Sequence, residues 1–144
     1  MQQNRRALLT QLAANLTLGL ISEVVTVVRS YMPLEISNYA STDLPLIEIQ
    51  EMDEEIAEDM ISQRQMRSID IVLRVWFVSW AETPAAAYET LMKNIRNTIA
   101  ADFTLSGKAT ECRVGSVSKP AGEMPLYSFE IGLRVHYYLD EKDV

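Results

Sequence analysis

The chain has 144 residues, 48% of them hydrophobic and 23% charged, which is an ordinary balance for one globular domain with its own core. Its net charge is −7, and the ten residues Glu51 to Met60 (EMDEEIAEDM) supply six acids and no base, so one window accounts for all but one unit of that charge. The remainder carries no basic stripe, which argues against a role in gripping nucleic-acid phosphates, and no apolar run approaches the ~20 residues of a membrane span.

From the N-terminus, Asn4 to Leu18 reads as a helix. Leu8, Leu12 and Leu16 recur every four residues with Leu9 and Ala13 beside them, Asn4 is placed to cap it and Gly19 to end it. The segment after Arg5 and Arg6 is amphipathic and interrupted by polar residues, unlike a signal peptide. Val24 to Ser30 is short and β-branched and predicts a strand. After an irregular stretch from Tyr31 to Asp43, Leu44 to Gln50 resumes a strand, with Pro45 placing its start at an edge. The acidic window follows. With residues up to 68 it is expected to be an acidic mobile loop or hairpin arm, a helix across Asp53 to Ile61 being the alternative. Domain organisation is thus one domain over residues 1–144, with 51–68 as its irregular part.

Ile69 to Trp80 (IDIVLRVWFVSW) is the strongest strand in the sequence. Ile69, Ile71, Leu73, Val75 and Phe77 form one apolar face at period two. The opposite face holds Asp70, Val72, Arg74, Trp76, Val78 and Trp80, where a solvated face would be polar. Trp76, Val78 and Trp80 therefore need a cover, which is either a helix of the same chain or a neighbouring subunit. Thr83 and Pro84 then open a helix as N-cap and first helical residue. Tyr88, Leu91, Met92, Ile95 and Ile99 give it one apolar face, and it ends near Asp102. Thr110 to Val117 reads as a strand, Lys119 to Pro125 as a turn, and Leu126 to Leu139 as a second long strand with Tyr127, Phe129, Ile131, Leu133, Val135, Tyr137 and Leu139 on one side. The expected fold is α+β: a mostly antiparallel twisted sheet of four to five strands with two main helices packed on it.

Little in the chain suggests catalysis. His136 is the only histidine and Cys112 the only cysteine. A single cysteine permits no intramolecular disulfide, which suits a reducing cytoplasm, and together the two residues are too few for a zinc site. The acids of the window are bunched and lack the glycine turn of a calcium loop. Asp70 and Arg74 on one long strand, with Glu130 and Arg134 on the other, read as cross-strand charge pairs rather than as an acid/base dyad. No glycine motif cradles a phosphate. No catalytic, metal or cofactor residues are assigned. The candidate subunit or partner interface is Trp76, Val78 and Trp80, together with the acids Glu51, Asp53, Glu54, Glu55, Glu58 and Asp59.

The succession NRRALLTQL, VVTVVRS, DLPLIEIQE, RSIDIVLRVWFV, TPAAAYETLMKNIRNTIAADFTLSG with its D-x-x-L-x-G turn, and YSFEIGLRVHYYLD resembles the bacteriophage tail terminator or tail completion proteins, the group of the minor tail protein U of long-tailed phages. The resemblance spans nearly the whole chain and rests on the order of the segments. It implies a non-enzymatic virion protein at the head-proximal end of the tail, assembled in the host cytoplasm. It implies a homo-oligomeric ring, a hexamer, that caps the tail tube and joins the head. The partners implied are the tail tube protein and a head-side neck or connector protein, with DNA passing through unbound and no membrane or cofactor involved. A neighbouring neck, connector or tail-tube-like role, or a small non-catalytic binding module, are the alternatives.

Overall fold

Period-two alternation in the two long apolar stretches builds the centre of the fold. The computed structural model describes residues 3–20, 26–30, 44–59, 64–80 and 84–140. Its elements are α1 (Gln3–Gly19), β1 (Thr26–Ser30), β2 (Leu46–Asp59), β3 (Arg64–Val78), α2 (Ala85–Ala101), β4 (Glu111–Val117), β5 (Ala121–Glu123) and β6 (Leu126–Asp140). The sheet order is β1-β2-β3-β6-β4, with the short β5 also on β6. Only β1 and β2 run parallel; the other pairs are antiparallel. The fold is α+β, as expected. It has six strands rather than four to five, because three residues of the predicted turn pair with the start of β6.

β3 and β6 pair along their full length, from Arg64 opposite Asp140 to Val78 opposite Leu126. This register puts the odd positions of both strands on one face. There Ile71, Leu73, Val75, Ile131, Leu133 and Val135 join Leu91, Ile95 and Ile99 of α2 and the leucines of α1 in a single core. Leu8, Leu12 and Leu16 are buried at the four-residue spacing read from the sequence. Phe129 stands edge-on to Tyr88 at 4.9 Å and to Phe77 at 5.8 Å, closing the core at the end where β3 runs toward α2.

The helix boundaries differ slightly from those read in the sequence. α1 begins at Gln3, so Asn4 lies inside it, and Gly19 is its last residue. α2 takes Pro84 itself as N-cap, with no side-chain cap, and residue 83 lies outside the described residues. Gly19 is required by contact: a Cβ there would meet the Thr98 side chain at 2.6 Å, so the C-terminal turn of α1 rests directly on α2.

Of the readings open for the acidic window, the described residues take the hairpin arm and not the loop or the helix. The strand read as Leu44 to Gln50 continues as β2 to Asp59, pairing with β3 through Asp59 opposite Gln65. Two register shifts, between Glu51 and Glu54 and between Ile56 and Glu58, interrupt the ladder. A strand is stable here because β3 needs backbone partners on both sides. β6 fills one edge of β3 and the window fills the other, and bulges of this kind let a strand of poor propensity follow its neighbour. Residues 60–63, and the expected strand start at residues 24 and 25, lie outside the described residues. Arg5 at the start of α1 reaches Glu51 at 2.6 Å and ties the base of this arm to the helical layer.

The D-x-x-L-x-G segment is a built turn. The Asp102 carboxylate accepts hydrogen bonds from the Ser106 N–H at 3.0 Å, the Ser106 hydroxyl at 3.2 Å and the Asn15 amide at 2.9 Å. These bonds, the Ser106 backbone N–H first, hold its carboxyl below the usual carboxylate range. Leu105, Ser106 and Gly107 all have positive φ, and Leu105 is buried in the core. The turn thus anchors α2 against α1. No helix among the described residues is long and apolar enough to cross a membrane.

Candidate functional site

Both helices pack on one face of the sheet, which leaves the other face to find its own cover. Its central part is polar and paired in register. Asp70 lies opposite Arg134, and Arg74 opposite Glu130. The Arg134 Nε donates to Asp70 at 3.1 Å, and the Arg74 guanidinium donates to Glu130 at 3.0 and 3.2 Å. These are the cross-strand charge pairs read from the sequence, half-exposed and of modest energy.

The apolar residues of this face behave differently from one another. Trp76 is only 8% exposed. It stands opposite Leu46 and Ser128, and the Arg74 guanidinium lies 5.7 Å from its ring centroid. Leu46 and Glu48 beside it are fully buried. This corner is closed within the chain, so Trp76 already has cover. Val78 is 37% and Trp80 75% exposed. Met124, 54% exposed, belongs to the adjoining β5–β6 turn, which the Ser79 N–H reaches through the Pro125 carbonyl at 2.8 Å. Val78, Trp80 and Met124 therefore make an open apolar end to the sheet.

The acidic candidates run along β2 from the middle of β3, with Glu51 opposite Ile71, to its far end, with Asp59 opposite Gln65, roughly 23 to 43 Å from Val78 at strand rise. Glu51 is in the ion pair with Arg5. The backbones of Asp53, Glu54, Glu55, Glu58 and Asp59 belong to the β2 arm, and their side chains lie outside the described residues. The nine candidates thus fall into two groups that the fold keeps apart.

One feature was not legible in the sequence. On β4 the register shifts between Val114 and Ser116, leaving Gly115 unpaired, and Arg113 falls directly opposite Arg134. Gly115, Ser116, Asp70, Met52 and Val72 line a groove of ≈ 580 Å³ beside these two arginines. The signal, a glycine bulge beside an arginine, acquires meaning only once the pairing is known.

The remaining chemical groups are inert or dispersed. Burial, followed by the charges of Asp102 and Glu111, pushes the Cys112 thiol up to about 12, so it is not a thiolate nucleophile near neutrality. His136 lies opposite Ser68 on β3 and Glu111 on β4, half-buried at the margin of the sheet. No cluster of three or more histidine, cysteine or acidic side chains is placed to hold a metal among the described residues.

No protein-family model matches the chain, and no curated protein does. Among solved structures, the chain is similar to one in the virion of a native gene transfer agent particle, at 10% identity over 92% of each chain with a TM-score of 0.46.

Proposed function

We propose that this chain is a structural virion protein of a tailed phage, a ring-forming terminator that caps the tail tube and presents the surface for head joining. The observation that carries the reading is the open apolar end of the sheet. A tryptophan exposed to 75%, flanked by Val78 and Met124, is the kind of aromatic anchor that protein interfaces bury. The sequence of helix, paired strands, charged arm, long strand, helix and closing strands supports it, being the order on which the resemblance to terminators rests. In this reading the ring contacts tail tube protein on one side and a neck or connector protein on the other. DNA passes through without specific binding, and neither catalysis nor a cofactor is involved.

Mass photometry of the purified chain, alone and with tail tube protein, tests the reading. The expected result is a closed oligomer of the 16.3 kDa chain, a hexamer, formed alone or on the tube. Trp80→Ser should leave the far-UV spectrum and the melting transition intact while abolishing the oligomer. A chain that stays monomeric under both conditions overturns it.

A further inference from the structure

We propose that the groove beside Arg113 and Arg134 receives the acidic arm of a neighbouring copy of this chain. The inference rests on the self-assembling reading above and names the contact that would close the ring.

Two arginines directly opposite each other on one sheet face repel, and such a pair is unfavourable unless anions share it. Each arginine has one anion of the chain beside it, and that of Arg134, Asp70, also lines the groove. Asp70 takes the Arg134 Nε from the β3 side, and Glu111 approaches Arg113 from along the same strand at 3.7 Å, beyond hydrogen-bond length. Their side chains are 57% and 67% exposed. A guanidinium has five N–H donors in a planar fork. Among the described residues Arg134 donates one hydrogen bond and Arg113 none, so both forks retain donors toward solvent. Beside them Gly115 offers open backbone, where a Cβ would find only the Gly132 carbonyl at 3.7 Å, whereas the Ser116 hydroxyl lies over Gly132. An extended segment can therefore approach the sheet at Gly115 while two forks take its carboxylates.

Charge complementarity selects the occupant. The segment from Glu51 to Asp59 is extended and holds six acids and no base. Only the base of the segment borders its own groove, through Met52, because pairing with β3 holds the arm in the plane of the same sheet. A neighbour's groove has no such constraint. Arm and groove are different surfaces, so the contact is head-to-tail, and a head-to-tail contact whose rotation closes gives a ring.

Charge reversal and its rescue, read by mass photometry on the full chain, test the inference. Arg113→Glu with Arg134→Glu should weaken assembly roughly tenfold or more, as should Glu54→Lys, Glu55→Lys and Glu58→Lys in the arm. Combining the two sets should restore it. Raising NaCl from about 50 to about 500 mM should weaken wild-type assembly, because exposed charges are screened. If the glutamate variant fails to fold, Arg113→Gln with Arg134→Gln removes the charges at similar length and should weaken assembly in the same direction. A wild type that assembles while the folded groove variants assemble equally well, or a combined variant that is not rescued, overturns this inference alone. A wild type that stays monomeric with and without tail tube protein overturns it together with the terminator reading.

Discussion

Leu73 and Arg74 are adjacent in sequence and belong to opposite faces of one sheet. Leu73 is fully buried beneath the helices, among residues that are apolar on every strand. Arg74 holds Glu130 across the ladder and leans over Trp76, on a face where charges pair, one corner is closed and one end is open. The comparison shows how burial and exposed charge are divided between alternate residues of the same strands. The helix-covered face supplies cohesion by burial. The second face is held by half-exposed ion pairs and by the corner around Trp76, and leaves Val78 and Trp80 open.

The largest expected effect tests that division directly. Leu73→Ala should cost about 2–5 kcal/mol in denaturant unfolding, because it leaves a cavity in a core the helices cannot collapse to fill. Arg74→Ala should cost about 1 kcal/mol or less, the range of a partly exposed ion pair. Equal costs would break the comparison. Gly19→Ala tests the helical layer that covers the first face. Its new methyl meets Thr98, so we expect a loss of about 1–3 kcal/mol, with most of it recovered when Thr98→Ala is added. A loss that Thr98→Ala leaves unchanged would place the strain elsewhere.

Asp102 sharpens the same point through pH. Its carboxyl is held below its ordinary value in the folded chain, so its contribution is complete above the ordinary carboxylate pKa and disappears as pH falls through the lower folded value. Asp102→Asn should cost about 1 kcal/mol near neutrality, the scale of a lost hydrogen bond. Its stability should also decline less steeply than that of wild type as pH falls below the ordinary carboxylate range. Identical acid profiles would remove the carboxylate from the account. The smallest effect belongs to the open end of the sheet. Trp80→Ser should change unfolding stability by less than about 0.5 kcal/mol, as expected of an exposed side chain without buried contacts. A loss near that of Leu73→Ala would show that the chain covers this residue after all.

Much of the helix-covered face was readable beforehand. The odd residues of β3 and β6 and the four-residue leucine spacing of α1 identify the core, because period two and period 3.6 each put one set of side chains on one side. The charge pairs of the second face were readable for the same reason, since Asp70, Arg74, Glu130 and Arg134 have matching spacing. For the acidic window the sequence offered a loop or a hairpin arm without deciding between them, because residues 51–59 have poor strand propensity and their pairing depends on β3 having an edge to fill. Nor does anything in the sequence distinguish Trp76 from Trp80, although their exposures are 8% and 75%. That difference depends on Leu46 being opposite one and the strand ending before the other.

The sequence by itself therefore determined the fold class, the core and the face of each long strand, because those follow from local periodicity and the removal of apolar side chains from water. The tertiary structure alone decided where β2 ends, which tryptophan is open and which arginines face each other. Those depend on register, and register is set by pairing between segments distant in the chain.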